Sequence, residues 1–242
     1  MTPALPISLL TSGIAEEVLG TEVVLRRVLE TARLSPESRI LVLGGSGSLA
    51  TLLAHKLRMQ VLVADADESR LEGVTTRAAG QAWAKRFETQ HVDFDALPFG
   101  PSEFAAIFVL DGWRKDAAGW AGALRNLLAP QGRLLCLAPF KVGRAPAEAL
   151  VQHLEARWGS ALGTPTDFLR ALARSGFEPE LVETLSEAEL EARFAGLRRG
   201  ATYAEELSLY DAHGPRFAVT FGLAMGRKRE PGEKPPAARD RG

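Results

Sequence analysis

The chain has 242 residues, 46% hydrophobic and 24% charged, with a formal net charge of -1. Such a length and composition support one globular core, and the near-neutral charge gives no electrostatic footprint for nucleic acid or an anionic membrane, so a small-molecule partner is expected instead. One cysteine, Cys136 in the apolar run Leu134 to Leu137, excludes an internal disulfide or a thiolate cluster within the chain and reads as a core thiol. His55, His91, His153 and His213 lack metal-ligand spacing, so no metal is expected. Met1 to Gly20 has neither the basic start nor the unbroken apolar stretch of a signal peptide, and no apolar run approaches the ~20 residues that span a bilayer. A cytoplasmic protein is expected.

Residues Glu16 to Leu34 place Val18, Leu19, Val23, Val24, Leu25, Val28 and Leu29 at helical spacing, which makes 1–34 an N-terminal helical segment. After the break at Ser35-Pro36-Glu37-Ser38, Arg39 to Leu43 is a short apolar run ending in glycines, as a buried parallel strand should be. A helix over Ala50 to Leu57, a strand over Val61 to Ala64 ending at Asp65 and a helix over Glu68 to Arg86 follow. Thr89 to Val92 reads as a weaker strand, then a loop through Pro98. Ala105 to Leu110 is a strand, Ala117 to Leu128 a helix and Arg133 to Ala138 a strand. This alternation predicts an α/β fold, a mostly parallel sheet with helices on both faces.

Beyond Ala138 the pattern changes. Thr166 to Ser175 reads as a helix, Phe177 to Glu183 as a strand, Glu187 to Arg199 as a charged helix and Phe217 to Met225 as a last strand. Residues 186–216 are more than a hairpin needs and suggest a lid or a homodimer contact. The segment 229–242 packs prolines, glycines and charges without apolar residues to hold it and is expected to be disordered, leaving 1–228 as one domain.

A strand that stops at Gly44-Gly45-Ser46-Gly47-Ser48 and turns into a helix brings unpaired amides and the positive helix end toward a ligand. Asp65 lies 20 residues beyond Gly45, at the end of the next strand, where a carboxylate can accept ribose hydroxyls. Together they suggest an adenosine-containing cofactor. Gly45-Ser46-Gly47-Ser48-Leu49-Ala50 also satisfies the dinucleotide pattern G-x-G-x-x-[GA], which keeps an NAD(P)-dependent oxidoreductase in view, although no Tyr-x-x-x-Lys pair accompanies it.

Further segments discriminate. Asp93-Phe94-Asp95-Ala96-Leu97-Pro98-Phe99 resembles the class I S-adenosylmethionine-dependent methyltransferase segment in which an acidic residue reads the adenine amine before an LPF turn. Leu128-Ala129-Pro130-Gln131-Gly132-Arg133-Leu134-Leu135 resembles that family's L-x-P-G-G-x-L approach to its fifth strand, and Ser175-Gly176-Phe177 with Phe217 to Phe221 resembles its closing strand pair. The resemblance is closest to the ubiquinone/menaquinone-biosynthesis branch, with a degenerate glycine-rich motif. It implies a Rossmann-like three-layer sandwich whose mostly parallel seven-stranded sheet has an antiparallel last strand, and S-adenosylmethionine as cofactor for methyl transfer to a small-molecule acceptor.

Carried onto this chain, the resemblance puts Gly44, Gly45, Ser46 and Gly47 under the methionine part of the cofactor. It puts Asp65 and Ala66 at the ribose, Asp93 and Phe94 at the adenine, and Leu110 beside the transferable methyl, with Asp111 and Trp113 toward the acceptor. Trp120 is a weaker candidate for the acceptor side. Leu43 stands where the family has an acidic residue and Leu49 where it has a third glycine, which motivates a second reading, a catalytically impaired methyltransferase-like partner module. No catalytic base is identified; His153, His213, Tyr203, Tyr210 and Asp111 are the candidates if the acceptor is a hydroxyl.

Overall fold

The structure, a computed structural model, describes residues 29–45, 47–110, 117–142, 147–158, 161–191, 204–213 and 219–233. The first strands are short apolar runs with buried residues on both sides: β1 (Arg39–Leu43) buries its last four residues and β2 (Gln60–Asp65) its last five. Both must therefore lie inside a sheet covered on two faces. Between them runs α1 (Ser48–His55), and after β2 comes α2 (Glu68–Ala78). The helix expected to reach Arg86 stops at Ala78: Ala79 leaves helical geometry and Gly80 turns at a φ of 73°. This is the left-handed exit that glycine permits at a helix end.

The chain continues through β3 (Phe87–His91), β4 (Phe104–Val109), α3 (Ala117–Leu127) and β5 (Leu128–Lys141). β5 is far longer than the predicted strand because its first residue already pairs with β4. A register shift takes up the Pro130-Gln131-Gly132 turn before Arg133, and Gln131 has a φ of 59°. A helix not foreseen from the sequence, α4 (Glu148–Trp158), follows, then α5 (Pro165–Arg174) and β6 (Phe177–Thr184). α5 starts on a capping box in which Thr164 and Asp167 each satisfy the other's backbone amide. A second unforeseen helix, α6 (Ala204–His213), lies inside the 186–216 segment, and β7 (Val219–Lys228) ends the sheet.

The seven strands are ordered β3-β2-β1-β4-β5-β7-β6. The first five are parallel, and β7 pairs antiparallel with both β5 and β6. Right-handed crossovers put α1 and α2 on one face and α3 on the other. The order reverses between β1 and β4, so the loops that leave these strands diverge and open a crevice at their carboxyl ends.

Cys136 lies in this core, fully buried, and burial pushes its thiol well above the ordinary range. Of the segment expected to be disordered, residues 229–233 are described and held to the body: the Arg229 amide donates to Gly176 O at 3.1 Å and Arg125 Nη2 donates to Arg229 O at 3.0 Å. No described helix is long and apolar enough to cross a membrane.

Candidate nucleoside site at the carboxyl edge of the sheet

Backbone bonds stitch the strand ends at the crevice into one row. Leu110 N–H donates to Leu43 O at 2.9 Å, Gly44 N–H to Ala64 O at 3.0 Å and Val92 N–H to Asp65 O at 3.0 Å. The loops after β1, β2, β3 and β4 are thereby held side by side. This brings the glycine turn, Asp65, Ala66 and the Asp93–Phe94 pair to one edge, together with Leu110.

Gly44, Gly45 and Gly47 have φ values of 76°, 88° and 81°, a left-handed run that side-chain-bearing residues avoid. Space adds a second constraint. A Cβ on Gly45 would lie 2.9 Å from Leu110 Cδ1, and one on Gly47 2.4 Å from Val74 Cγ2 of α2. Gly47 is also the N-cap of α1, whose first turn carries no acidic residue, so the positive helix end faces the turn without a compensating charge there. Leu43 and Leu49, where the sequence departs from the family pattern, are 0% and 1% exposed and belong to the core.

Asp65 closes β2 and is buried. Its Oδ1 accepts from the Asp67 amide at 2.8 Å and pairs with Arg70 Nη2 at 3.1 Å. Asp67 is the N-cap of α2; its Oδ1 accepts from the Ser69 amide at 3.0 Å and the Ser69 hydroxyl at 2.6 Å. Asp67 Oδ2 lies 3.3 Å from Arg70 Nε. The Ser69 hydroxyl, helped by backbone amides and Arg70, holds the Asp67 carboxyl below the usual carboxylate range. His91, at the end of β3, has Nε2 3.2 Å from Ala66 O.

Asp93 is exposed, and its Oδ1 accepts from the Asp95 amide at 2.8 Å, so the carboxylate builds the turn that follows. Phe94 is buried, and its carbonyl accepts from Trp120 Nε1 at 3.3 Å. Trp120, considered above as a weak lining candidate, thus ties the Asp93–Phe94 loop to α3. Ser46, Asp111, Trp113 and Tyr203 lie outside the described residues, as does the side chain of His213. His153 lies on α4 and Tyr210, on α6, is buried.

Sequence reading missed Arg70 and His91. Arg70 had a signal, since an N-cap aspartate three residues before an arginine on a helix suggests an ion pair. His91 had none: its partner, Ala66 O, is brought near only by the β2–β3 register, in which Asp65 stands beside His91.

No family model matches the chain. It is 31% identical over 119 residues to the ubiquinone/menaquinone biosynthesis C-methyltransferase UbiE of Shewanella frigidimarina, covering 46% of this chain and 47% of that protein. The chain thus spans about half the length of the curated relative it matches. Its fold matches phosphoethanolamine N-methyltransferase 2 of Haemonchus contortus with a TM-score of 0.68 at 17% identity, over 85% of this chain and 52% of that one. It also matches geranyl diphosphate C-methyltransferase of Streptomyces coelicolor, with a TM-score of 0.67 at 11% identity over 84% and 76% of the two chains. The [4+2]-cyclase SpnF is as similar, at 0.67 and 16% identity over 85% and 80%, so the fold by itself does not choose the reaction. By its strand order and these structural matches the chain has the α/β Rossmann-like fold of these methyltransferases, and over 119 residues its sequence is similar to UbiE.

Proposed function

We propose that the chain binds S-adenosylmethionine at this edge and transfers its methyl group to a small-molecule acceptor in the cytoplasm. The observation that carries the reading is the juxtaposition of the left-handed glycine run at Gly44, Gly45 and Gly47 with the Asp65 carboxylate on the adjacent strand, Leu43 being in register with Ala64. The donor set fits an adenosine cofactor: amides and a helix end for the amino-acid part, a carboxylate for the sugar, and buried Phe94 at the adenine side. Burial of Leu49 in the core supports this reading over the impaired-module one, because its side chain adds nothing above the turn. β7 lying antiparallel between β5 and β6 and the UbiE likeness support a methyltransferase reading over a dinucleotide enzyme.

When bound, S-adenosylmethionine supplies a sulfonium methyl that an in-line nucleophile takes as the carbon–sulfur bond breaks onto sulfur. The residues of the chain hold and align. Gly45 and Gly47 keep the turn low, Asp65 and Ala66 seat the ribose, and Asp93 with Phe94 borders the adenine. Leu110 closes one side with an apolar wall, which suits a reaction that neutralises charge and gains from exclusion of water. Asp111 and Trp113 follow Leu110 directly and are proposed to face the acceptor; residues 186–216 are proposed as its lid. A hydroxyl acceptor would lose its proton to a base drawn from the candidates named above.

Titration calorimetry with S-adenosylmethionine, S-adenosylhomocysteine, NADH and NADPH tests the reading. The two sulfur nucleosides are expected to bind and the dinucleotides not. Absence of heat and of any thermal shift with both sulfur nucleosides would refute it, and binding of a dinucleotide alone would put the oxidoreductase reading in its place.

A further inference from the structure

The buried carboxylate of Asp65 is expensive to hold as an anion unless it is paired. Two groups that pair with it, the Asp67 amide at 2.8 Å and Arg70 Nη2 at 3.1 Å, converge on the same oxygen, Oδ1. The guanidinium is itself fixed, because its Nε lies 3.3 Å from Oδ2 of Asp67, the helix N-cap. A planar fork that spans two carboxylates admits far fewer geometries than a flexible ammonium would. Two donors on one oxygen also set the carboxylate plane.

We propose that Arg70 is a positioning residue for nucleoside recognition, orienting the Asp65 carboxylate through Oδ1 so that it is aligned to accept ribose hydroxyls. The proposal rests on the functional reading above. Arg70 acts through Asp65. It touches no part of the nucleoside. Its effect is on discrimination between sugars, since a carboxylate free to rotate loses the alignment that makes a hydroxyl hydrogen bond worth more than its absence. His91 and Asp67 are the other titratable groups close to this loop, so the test is run at one pH and reads a ratio of ligands.

The experiment measures dissociation constants of S-adenosylhomocysteine and of its 2′-deoxyribose analogue for the full chain, Arg70→Gln and Arg70→Lys. The wild-type chain is expected to prefer the ribose form by about tenfold or more, as for a hydrogen bond to a charged acceptor. Arg70→Gln is expected to bring that preference below about threefold, and Arg70→Lys to recover part of it. A wholly structural role would weaken both ligands alike and leave the ratio unchanged, which would overturn the proposal. So would tighter binding in Arg70→Gln, because it would make Arg70 a competitor for Asp65. Should Arg70→Gln not fold, Arg70→Lys alone decides, an unchanged ratio being the refuting result. A wild-type chain that binds neither ligand would refute the functional reading itself, and is thereby distinct from a wild-type chain that binds both and whose ratio ignores Arg70.

Discussion

Replacing Gly47 by alanine tests whether the turn is fixed by packing as well as by dihedral preference. The new Cβ would stand 2.4 Å from Val74 Cγ2 and 2.7 Å from Cγ1, while the backbone stays at a φ of 81°. The left-handed conformation costs a residue with a side chain about 1–2 kcal/mol. Forcing Val74, 2% exposed and in the core, to move adds the about 1–3 kcal/mol typical of overpacking. Gly47→Ala is therefore expected to lose about 2–5 kcal/mol, read by urea denaturation, with a melting temperature lowered by about 2–4 °C for each kcal/mol. The double variant Gly47→Ala with Val74→Ala relieves the clash but not the dihedral strain. Its loss should fall short of the sum of the single losses by about 1–3 kcal/mol. Additive losses, or a Gly47→Ala chain as stable as wild type, would refute the packing argument.

Two further outcomes follow from particular contacts. Trp120→Phe removes the Nε1 bond to Phe94 O and leaves a buried carbonyl to find another donor, so a loss of about 1–3 kcal/mol in urea denaturation and weaker S-adenosylhomocysteine binding are expected. Unchanged stability together with unchanged affinity would show that the bond anchors nothing. Glu233 is held at about 2, first by its hydrogen bond to Arg227, against an ordinary value of 4.5. A carboxyl depressed by folding stabilises above its unfolded value and loses that contribution as pH falls through the folded one. Glu233→Gln should thus melt below wild type at pH 7, with the difference closing between about pH 4.5 and 2; a gap that persists at pH 2 would assign the contact to packing.

Much of the candidate site was legible because its residues sit at the ends of local elements. Gly44, Gly45, Gly47 and Asp65 follow apolar runs whose lengths and punctuation are local properties, and the structure brings all four to one edge. Where reading failed, the cause was tertiary. The helix over Glu148–Trp158 is short and weakly amphipathic, so periodicity has little to register, and the early start of β5 at Leu128 depends on pairing with Phe104 across a register shift. The segment from Arg229 has the composition of a disordered tail, yet Arg229 itself docks through bonds to Gly176 and Arg125 that no local pattern contains.

Sequence by itself determined the alternation of strands and helices, the glycine turn after the first strand and the carboxylate one strand away, because each depends on backbone preference and on which faces must be buried. Only the tertiary structure decided why Gly47 has no room for a methyl group, that Leu49 belongs to the core and that Arg70 and the Asp67 amide share one oxygen of Asp65. Those facts depend on distances between residues that the chain places apart, and such distances exist only once the sheet has set its register.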